Sequence, residues 1–427
     1  MIDLWEKAAR NERAMLLGIK TKEQDDQDTE DLLVELAELT ETFGARVIDR
    51  CVVRLDKPNP RYLIGNGKAS EIARRCRQRQ IDVLIFDDSL SPSQQRNWEK
   101  LAKLRVIDRQ EVILDIFCTR ASTQEAVLQI SLAQAEYLLP RLKRAWTHLS
   151  RQRGGVGLRG GEGEAQIEVD ARLVRDRITK LRRDLVNVRK RRAEQRKKRQ
   201  KKPVPNAAIV GYTNAGKSSL LNVLSDADVF VEDKLFATLD PTTRRIRLQN
   251  NQTLLLTDTV GFVRKLPHNL VEAFKSTLEE ATVGDFLVHV LDASAPAVDE
   301  HVKTTERVLE EIGAGCKEII TVFNKVDLLT APYMRARLRR RYPDAVFIST
   351  KTGKGLADLM ARMREILDDN LETMDLRIPQ SKYDLVALLH RTSHILSERY
   401  EDDAIYVRAA VPPDSRTNFQ PYEDGEV

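Results

Sequence analysis

One short segment restricts the possible folds of this chain more than any other. Gly211-Tyr212-Thr213-Asn214-Ala215-Gly216-Lys217-Ser218 fits the pattern G-x-x-x-x-G-K-[ST]. An apolar run, 207–211, precedes it, and Ser219 opens a leucine-rich stretch that reads as a helix. Strand, glycine turn and helix in that order aim backbone N–H groups and a helix amino end at a phosphate. Lys217 then reaches the β and γ phosphates, and the Ser218 hydroxyl can hold Mg2+. Further apolar runs at 253–256, 286–291, 319–323 and 345–348 are each separated by a loop or a helical stretch. That rhythm predicts an α/β, doubly wound, mostly parallel sheet across residues 203–370.

Two more patterns follow the phosphate loop in the order such a sheet requires. Asp258-Thr259-Val260-Gly261 ends the run 253–256. A carboxylate at that strand end lies beside the phosphate crevice and can hold the metal through water, while the Gly261 N–H can sense the γ phosphate. Asn324-Lys325-Val326-Asp327 ends the run 319–323. The Asp327 carboxylate can accept hydrogen bonds from guanine N1–H and the 2-amino group; adenine offers no such pair, so a buried acceptor would be left unpaired. Asn324 can tie this loop to the phosphate loop, and Ser349-Thr350-Lys351 suits a backbone contact to the guanine oxygen. Together these residues imply GTP and GDP as ligands. Between the phosphate loop and Asp258 lies Phe236-Ala237-Thr238-Leu239-Asp240-Pro241, where a threonine can complete the Mg2+ shell. On spacing alone Thr238, Thr242 and Thr243 compete.

Charge points to the partner. The chain carries +5, but between Arg172 and Lys202 16 Lys+Arg face three acids, a net +13 that leaves −8 for the remainder. A basic element on an acidic body implies a polyanion, RNA before anionic lipid. Leu128, Leu132, Ala135, Leu139 and Leu142, then Val174, Ile178, Leu181, Leu185 and Val188, predict an antiparallel helical hairpin over 121–202. Pro140 inside the first stripe predicts a kink. Arg151, Arg153 and Arg159 flank a glycine-rich tip. Its Gly155–Gly160 stretch fits G-x-G-x-x-G, yet no strand precedes it, so a dinucleotide site is excluded.

Residues 1–120 read as a small α/β domain, with strands at 14–19, 46–55 and 83–86 and helices at 31–42, 68–78 and 91–104. Residues 371–427 read as a small α+β tail, in which His390 and His394 share a predicted helix without a third metal ligand. Cys51, Cys76, Cys118 and Cys316 are scattered, which excludes a disulfide framework and indicates the cytoplasm. No run of 18 apolar residues occurs, so membrane contact is at most peripheral. A monomer is expected.

These segments resemble the HflX GTPases of the Obg–HflX group. The resemblance rests on 211–218, 236–242, Asp258 to Phe262 and Asn324 to Asp327, and extends to Tyr62–Lys68, Trp146–Leu149 and Gly154–Gly160 with Glu164 and Glu168. It implies Thr238 as the switch ligand of Mg2+ beside Ser218, and Lys217, Thr238 and Gly261 as the catalytic groups. Phe236, Ala237, Leu239 and Asp240 are then expected around the nucleotide. It also implies binding to the large ribosomal subunit and its RNA, with splitting or rescue of stalled ribosomes. In related GTPases an Asn at the place of Asn214 helps hold K+; the plain reading of Asn214 is a turn residue. The family run R-G-P-G-E-T reads Arg159-Gly160-Gly161-Glu162-Gly163-Glu164-Ala165 here, a looser and more acidic loop. Phe262 stands where many switch GTPases place the Gln that orients the attacking water. Hydrolysis by the chain alone is therefore expected to be slow and ribosome-stimulated. Two other functions fit the same residues: a GTP-dependent ribosome assembly factor, and a non-enzymatic RNA-binding scaffold, against which Lys217, Ser218 and Asp258 argue.

Overall fold

The computed structural model describes residues 11–22, 25–145, 162–199, 204–225, 235–236, 238–248, 252–265, 281–329, 332–369, 372–401, 403–411, 416 and 418–423. The glycine-rich tip with Arg151, Arg153, Arg159 and Gly161, the segment 146–149, Lys202 and Ala237 lie outside them, as do the side chains of Glu164, Ala165 and Glu168.

Strands and helices alternate from the amino end: β1 (Arg13–Lys20), α1 (Asp26–Phe43), β2 (Arg46–Arg54), α2 (Asn66–Gln78), β3 (Val83–Phe86), α3 (Pro92–Ala102), β4 (Arg105–Asp108) and α4 (Arg109–Arg120). The four strands are parallel in the order β2-β1-β3-β4. All of β3 is buried, as a parallel strand covered on both faces must be. Ser91 starts α3 with a capping box: its hydroxyl accepts from Gln94 N and its own N donates to the Gln94 side chain. β4 and α4 have no counterpart among the sequence expectations. α4 buries Val112, Ile113, Leu114, Asp115, Ile116 and Phe117 in succession, so it shows no one-sided stripe.

Next come α5 (Gln124–Ala145) and α6 (Glu162–Arg199). Ala135, Val174 and Ile178 pack together, flanked by Leu132, Leu139 and Leu142. Glu136 pairs with Arg182 at 2.7 Å and Glu125 with Arg189 at 4.0 Å, so the helices run in opposite directions. α5 continues through Pro140, which is exposed, so the carbonyl it leaves unbonded can turn to water.

The larger sheet is built from β5 (Asn206–Gly211), β6 (Thr242–Arg247), β7 (Thr253–Asp258), β8 (Phe286–Asp292), β9 (Glu318–Asn324) and β10 (Val346–Phe347). Helices α7 (Lys217–Ser225), α8 (Val298–Glu311), α9 (Pro332–Arg341) and α10 (Leu356–Asp369) connect or follow them. The order is β10-β9-β8-β5-β7-β6, with only β6 antiparallel. The α/β doubly wound, mostly parallel architecture is as expected; the antiparallel edge strand β6 is new. Its residues are mostly polar and only Ile246 is buried, so it carries no strand signature. With β8 and β7 on its two sides, β5 marks the point where the strand order reverses, and sheets of this kind take their ligands at the carboxyl ends of the strands beside such a point.

A three-stranded antiparallel sheet, β11-β13-β12, closes the chain: β11 (Glu372–Pro379), β12 (His394–Tyr400) and β13 (Ala404–Val411), with α11 (Tyr383–Thr392) on its core. His390 lies in α11 and His394 begins β12, so the two do not share a helix. No described helix is long and apolar enough to cross a membrane.

Packing groups the chain into two compact units. One comprises 1–190, 232–240 and 263–276, the other 191–231, 241–262 and 277–427. Nothing in the sequence marks the described residues 235, 236, 238–240 and 263–265 as belonging with the amino-terminal residues.

Candidate nucleotide site

The phosphate loop and the Asp258–Gly261 segment lie back to back at the carboxyl ends of β5 and β7. Phe262 N donates to Gly211 O at 3.1 Å and Thr213 N to Phe262 O at 2.8 Å. A Cβ on Gly261 would stand 2.7 Å from Thr213 Cγ2 and 2.9 Å from Lys217 Nζ, so only glycine permits this approach. Gly216 has φ +92°, and a Cβ there would stand 2.2 Å from Asn324 Nδ2. That amide donates to Ala215 O at 2.9 Å, while its Oδ1 accepts from Thr350 N at 3.1 Å. Asn324 thereby fastens three loops from distant parts of the sequence.

Charge is concentrated at the floor of the loop. Lys217 is buried and donates to Tyr212 O at 2.8 Å. Burial pushes its ammonium down to about 8, against the pull of Asp258. Beneath it His289 on β8 is buried, with no partner for Nε2 among the described residues. Burial and then Lys217 hold that ring down to about 3, hence neutral. Ser218 Oγ donates to Asp258 Oδ2 at 2.6 Å. A hydroxyl and a carboxylate so close are the hard oxygen donors that Mg2+ takes, so Ser218 and Asp258 fit such an ion. Thr259 donates to Ile209 O at 2.7 Å, and the buried Thr213 hydroxyl has no partner among the described residues.

Around the base-reading pattern, Lys325 adopts φ +62° and its Nζ pairs with Asp292 at 2.8 Å. Val326 is held to Ile348 O at 3.2 Å. Asp327 Oδ1 accepts from Ser349 Oγ at 2.6 Å, and this donor keeps the carboxyl below its ordinary range. Asp327 is exposed rather than buried, so a bound base itself must supply the desolvation that makes a missing donor costly. Thr350 is half-buried; Lys351 and Asn214 are exposed, Asn214 with φ +58°. Tyr212 stacks on His301 of α8 at 3.7 Å, so its ring is committed to packing.

The described residues of 235–240 pack within the amino-terminal unit. Leu235, Phe236 and Leu239 are buried in the amino-terminal unit, and the Phe236 ring meets Phe117 edge-on at 4.5 Å. The Asp240 carboxylate accepts from Ser122 and Thr123. Thr238 is half-buried between them. After the fully buried Phe262, Arg264 and Lys265 also join that unit. Lys265 Nζ stands 2.6 Å from Asp87 and 2.7 Å from Asp88, and Arg264 Nε 3.5 Å from Glu35. Glu35 and Asp87 in turn share the buried Arg109, Asp87 at 2.7 Å. Sequence reasoning missed His289, Asp292, Glu35, Asp87 and Arg109. No local signal marks them, since Lys265 and Asp87 are 178 positions apart.

The sequence matches known proteins along most of its length. Family models described as "GTP-binding GTPase N-terminal", "GTP-binding GTPase Middle Region" and "50S ribosome-binding GTPase" match residues 30–118, 120–199 and 206–325. The GTPase HflX of Akkermansia muciniphila is 45% identical over 430 residues, covering 96% of this chain and 97% of that protein. That of Chlamydia pneumoniae is 46% identical, covering 98% and 90%. That of Escherichia coli (strain K12) is 42% identical, covering 92% and 91%.

Proposed function

The chain belongs to the HflX family of GTPases, and from that premise we propose that it couples GTP binding and hydrolysis to its hold on the large ribosomal subunit, splitting or rescuing stalled ribosomes in the cytoplasm. The observation that carries this reading is the +13 held between Arg172 and Lys202, most of it on α6, in a chain that also bears every guanine-nucleotide pattern. Sixteen cations against three acids suit an RNA phosphate backbone far better than a solvated helix face. The description of the 206–325 match supports it.

In this reading Lys217 and the amides of 212–218 bind the β and γ phosphates. Ser218 and Thr238 would hold Mg2+, with Asp258 acting through water; the ion would supply positive charge against the phosphate oxygens. Gly261 N–H reports the γ phosphate. Asp327 accepts the two guanine donors, Asn324 fixes the loop, and the backbone of Ser349–Lys351 faces the guanine oxygen. For Asn214, exposed in the phosphate loop, a role in holding K+ belongs to the same reading; equal rates in potassium and sodium buffers would remove that role. Phe262 is fully buried and has no polar atom to align water, so turnover by the free chain is slow and a partner completes the site.

GTP hydrolysis with and without purified 50S subunits tests the proposal. Stimulation of about 100-fold or more is expected. Equal rates would overturn it, and stimulation by immature particles alone would favour an assembly factor.

A further inference from the structure

Asp240 spends its whole carboxylate on one place. Oδ2 accepts from Ser122 N at 2.9 Å, Ser122 Oγ at 2.5 Å and Thr123 N at 3.1 Å, and Oδ1 accepts from Thr123 Oγ1 at 2.6 Å. Ser122 and Thr123 immediately precede α5, the first helix of the basic hairpin. Thr123 Oγ1 also accepts from Ala126 N at 3.3 Å, so the helix already has a local cap. An ionised side chain from 118 positions away is not needed to start α5. It is favoured there by charge-assisted hydrogen bonds and by the helix dipole.

A second anchor lies four residues earlier. The Phe236 ring packs on Phe117, near the end of α4, so the segment 235–240 grips both sides of Ala121. Phe236 takes φ +56°, a conformation non-glycine residues resist and keep only where packing imposes it. Thr238 sits between the two anchors. A loop fixed at 236 and 240 cannot move Thr238 without loading both.

We infer that Asp240 is a positioning residue for GTP hydrolysis, holding Thr238 in place and making the amino end of α5 responsive to the nucleotide. The inference rests on Thr238 as the nucleotide-responsive ligand, and not on which RNA the hairpin meets. Linkage makes the effect reciprocal: a partner that pulls on α5 alters nucleotide affinity by the same factor.

Amide hydrogen exchange of the full chain over residues 122–128 tests this, with GDP against a non-hydrolysable GTP analogue. Exchange in the parent chain should differ about tenfold between the two, the scale of losing hydrogen bonds to a charged group. Asp240→Asn should exchange fast with both and lose kcat more than it gains KM, a split that a purely stabilising cap would not give. Ser122→Ala, which touches no nucleotide group, should bind GDP as the parent does yet narrow the nucleotide-dependent difference. Identical parent exchange with both nucleotides would overturn the inference, as would an undiminished difference in Ser122→Ala or in a folded Asp240→Asn. 50S stimulation measured on the same samples separates the two ideas. Its absence, beside nucleotide-dependent exchange at α5, would sink the ribosomal reading and leave the positioning role of Asp240.

Discussion

The loops around Gly216, Gly261 and Asn324 are fixed quite differently from the segments 235–240 and 263–265. In the first set, backbone amides and one buried side-chain amide do the holding, and two glycines are packed so tightly that no Cβ fits. In the second, carboxylates, cations and one aromatic pair do it, and the partners Glu35, Asp87, Phe117, Ser122 and Thr123 come from the amino-terminal unit. Amide lacing in a packed interior admits few alternatives, whereas the exposed cation Lys265 reaches its carboxylates from the rim and can leave them for water. The first region is suited to reading a ligand without moving, the second to moving and reporting.

Three changes should break or sharpen that contrast. The largest effect is expected from Asp327→Asn in the reading region. Preference should pass from guanine to xanthine nucleotides, with GTP binding weakened by roughly 10^4-fold, about 5.5 kcal/mol. Competition binding measures it, and unchanged GTP preference would refute the assignment. Thermal stability should barely change, since Asp327 is exposed.

Next is Arg109→Leu in the reporting region, which leaves Glu35 and Asp87 buried around a lost cation. Breaking such a pair costs about 3–5 kcal/mol of folding stability. Chemical denaturation should show that loss while guanine preference is kept. A loss of guanine preference instead would mean the two regions are not separable.

The smallest effect concerns Lys217. Burial holds it at about 8 in the nucleotide-free fold, against an ordinary 10.5. Between those values the unfolded chain binds a proton that the folded chain lacks, so this group's contribution to stability rises with pH. Below pH 8 the buried ammonium costs its full amount, at most about 3 kcal/mol. Lys217→Met should therefore melt above the parent at pH 7 when nucleotide-free, the gap closing toward pH 10. Phosphates restore the charge, so the nucleotide dissociation constant of the parent should climb about tenfold per pH unit above 8. A flat profile would show that Lys217 is already solvated.

Much of the candidate site was legible as a pattern because phosphate and base recognition require contiguous residues at fixed spacing, as in 211–218, 258–261 and 324–327. The hairpin was legible because two apolar stripes survive amid heavy charge. β4, β6 and α4 were not, since each is either too polar or too evenly buried to show a period. Asp240 illustrates the limit best. Its place beside Thr238 puts it among nucleotide residues by sequence, yet its carboxylate faces Ser122 and Thr123.

By itself, then, the sequence determined the parallel sheet, the phosphate and base loops and the basic hairpin, because each is written in local spacing or local charge. Tertiary structure alone decided that 235–240 and 263–265 pack with the amino-terminal unit, that His289 lies neutral beneath Lys217, and that Asp240 closes α5. Those outcomes depend on pairs more than 100 positions apart in two of the three cases, and on burial in the other. Neither partners at such separations nor depth of burial leaves a mark on the residues next to them.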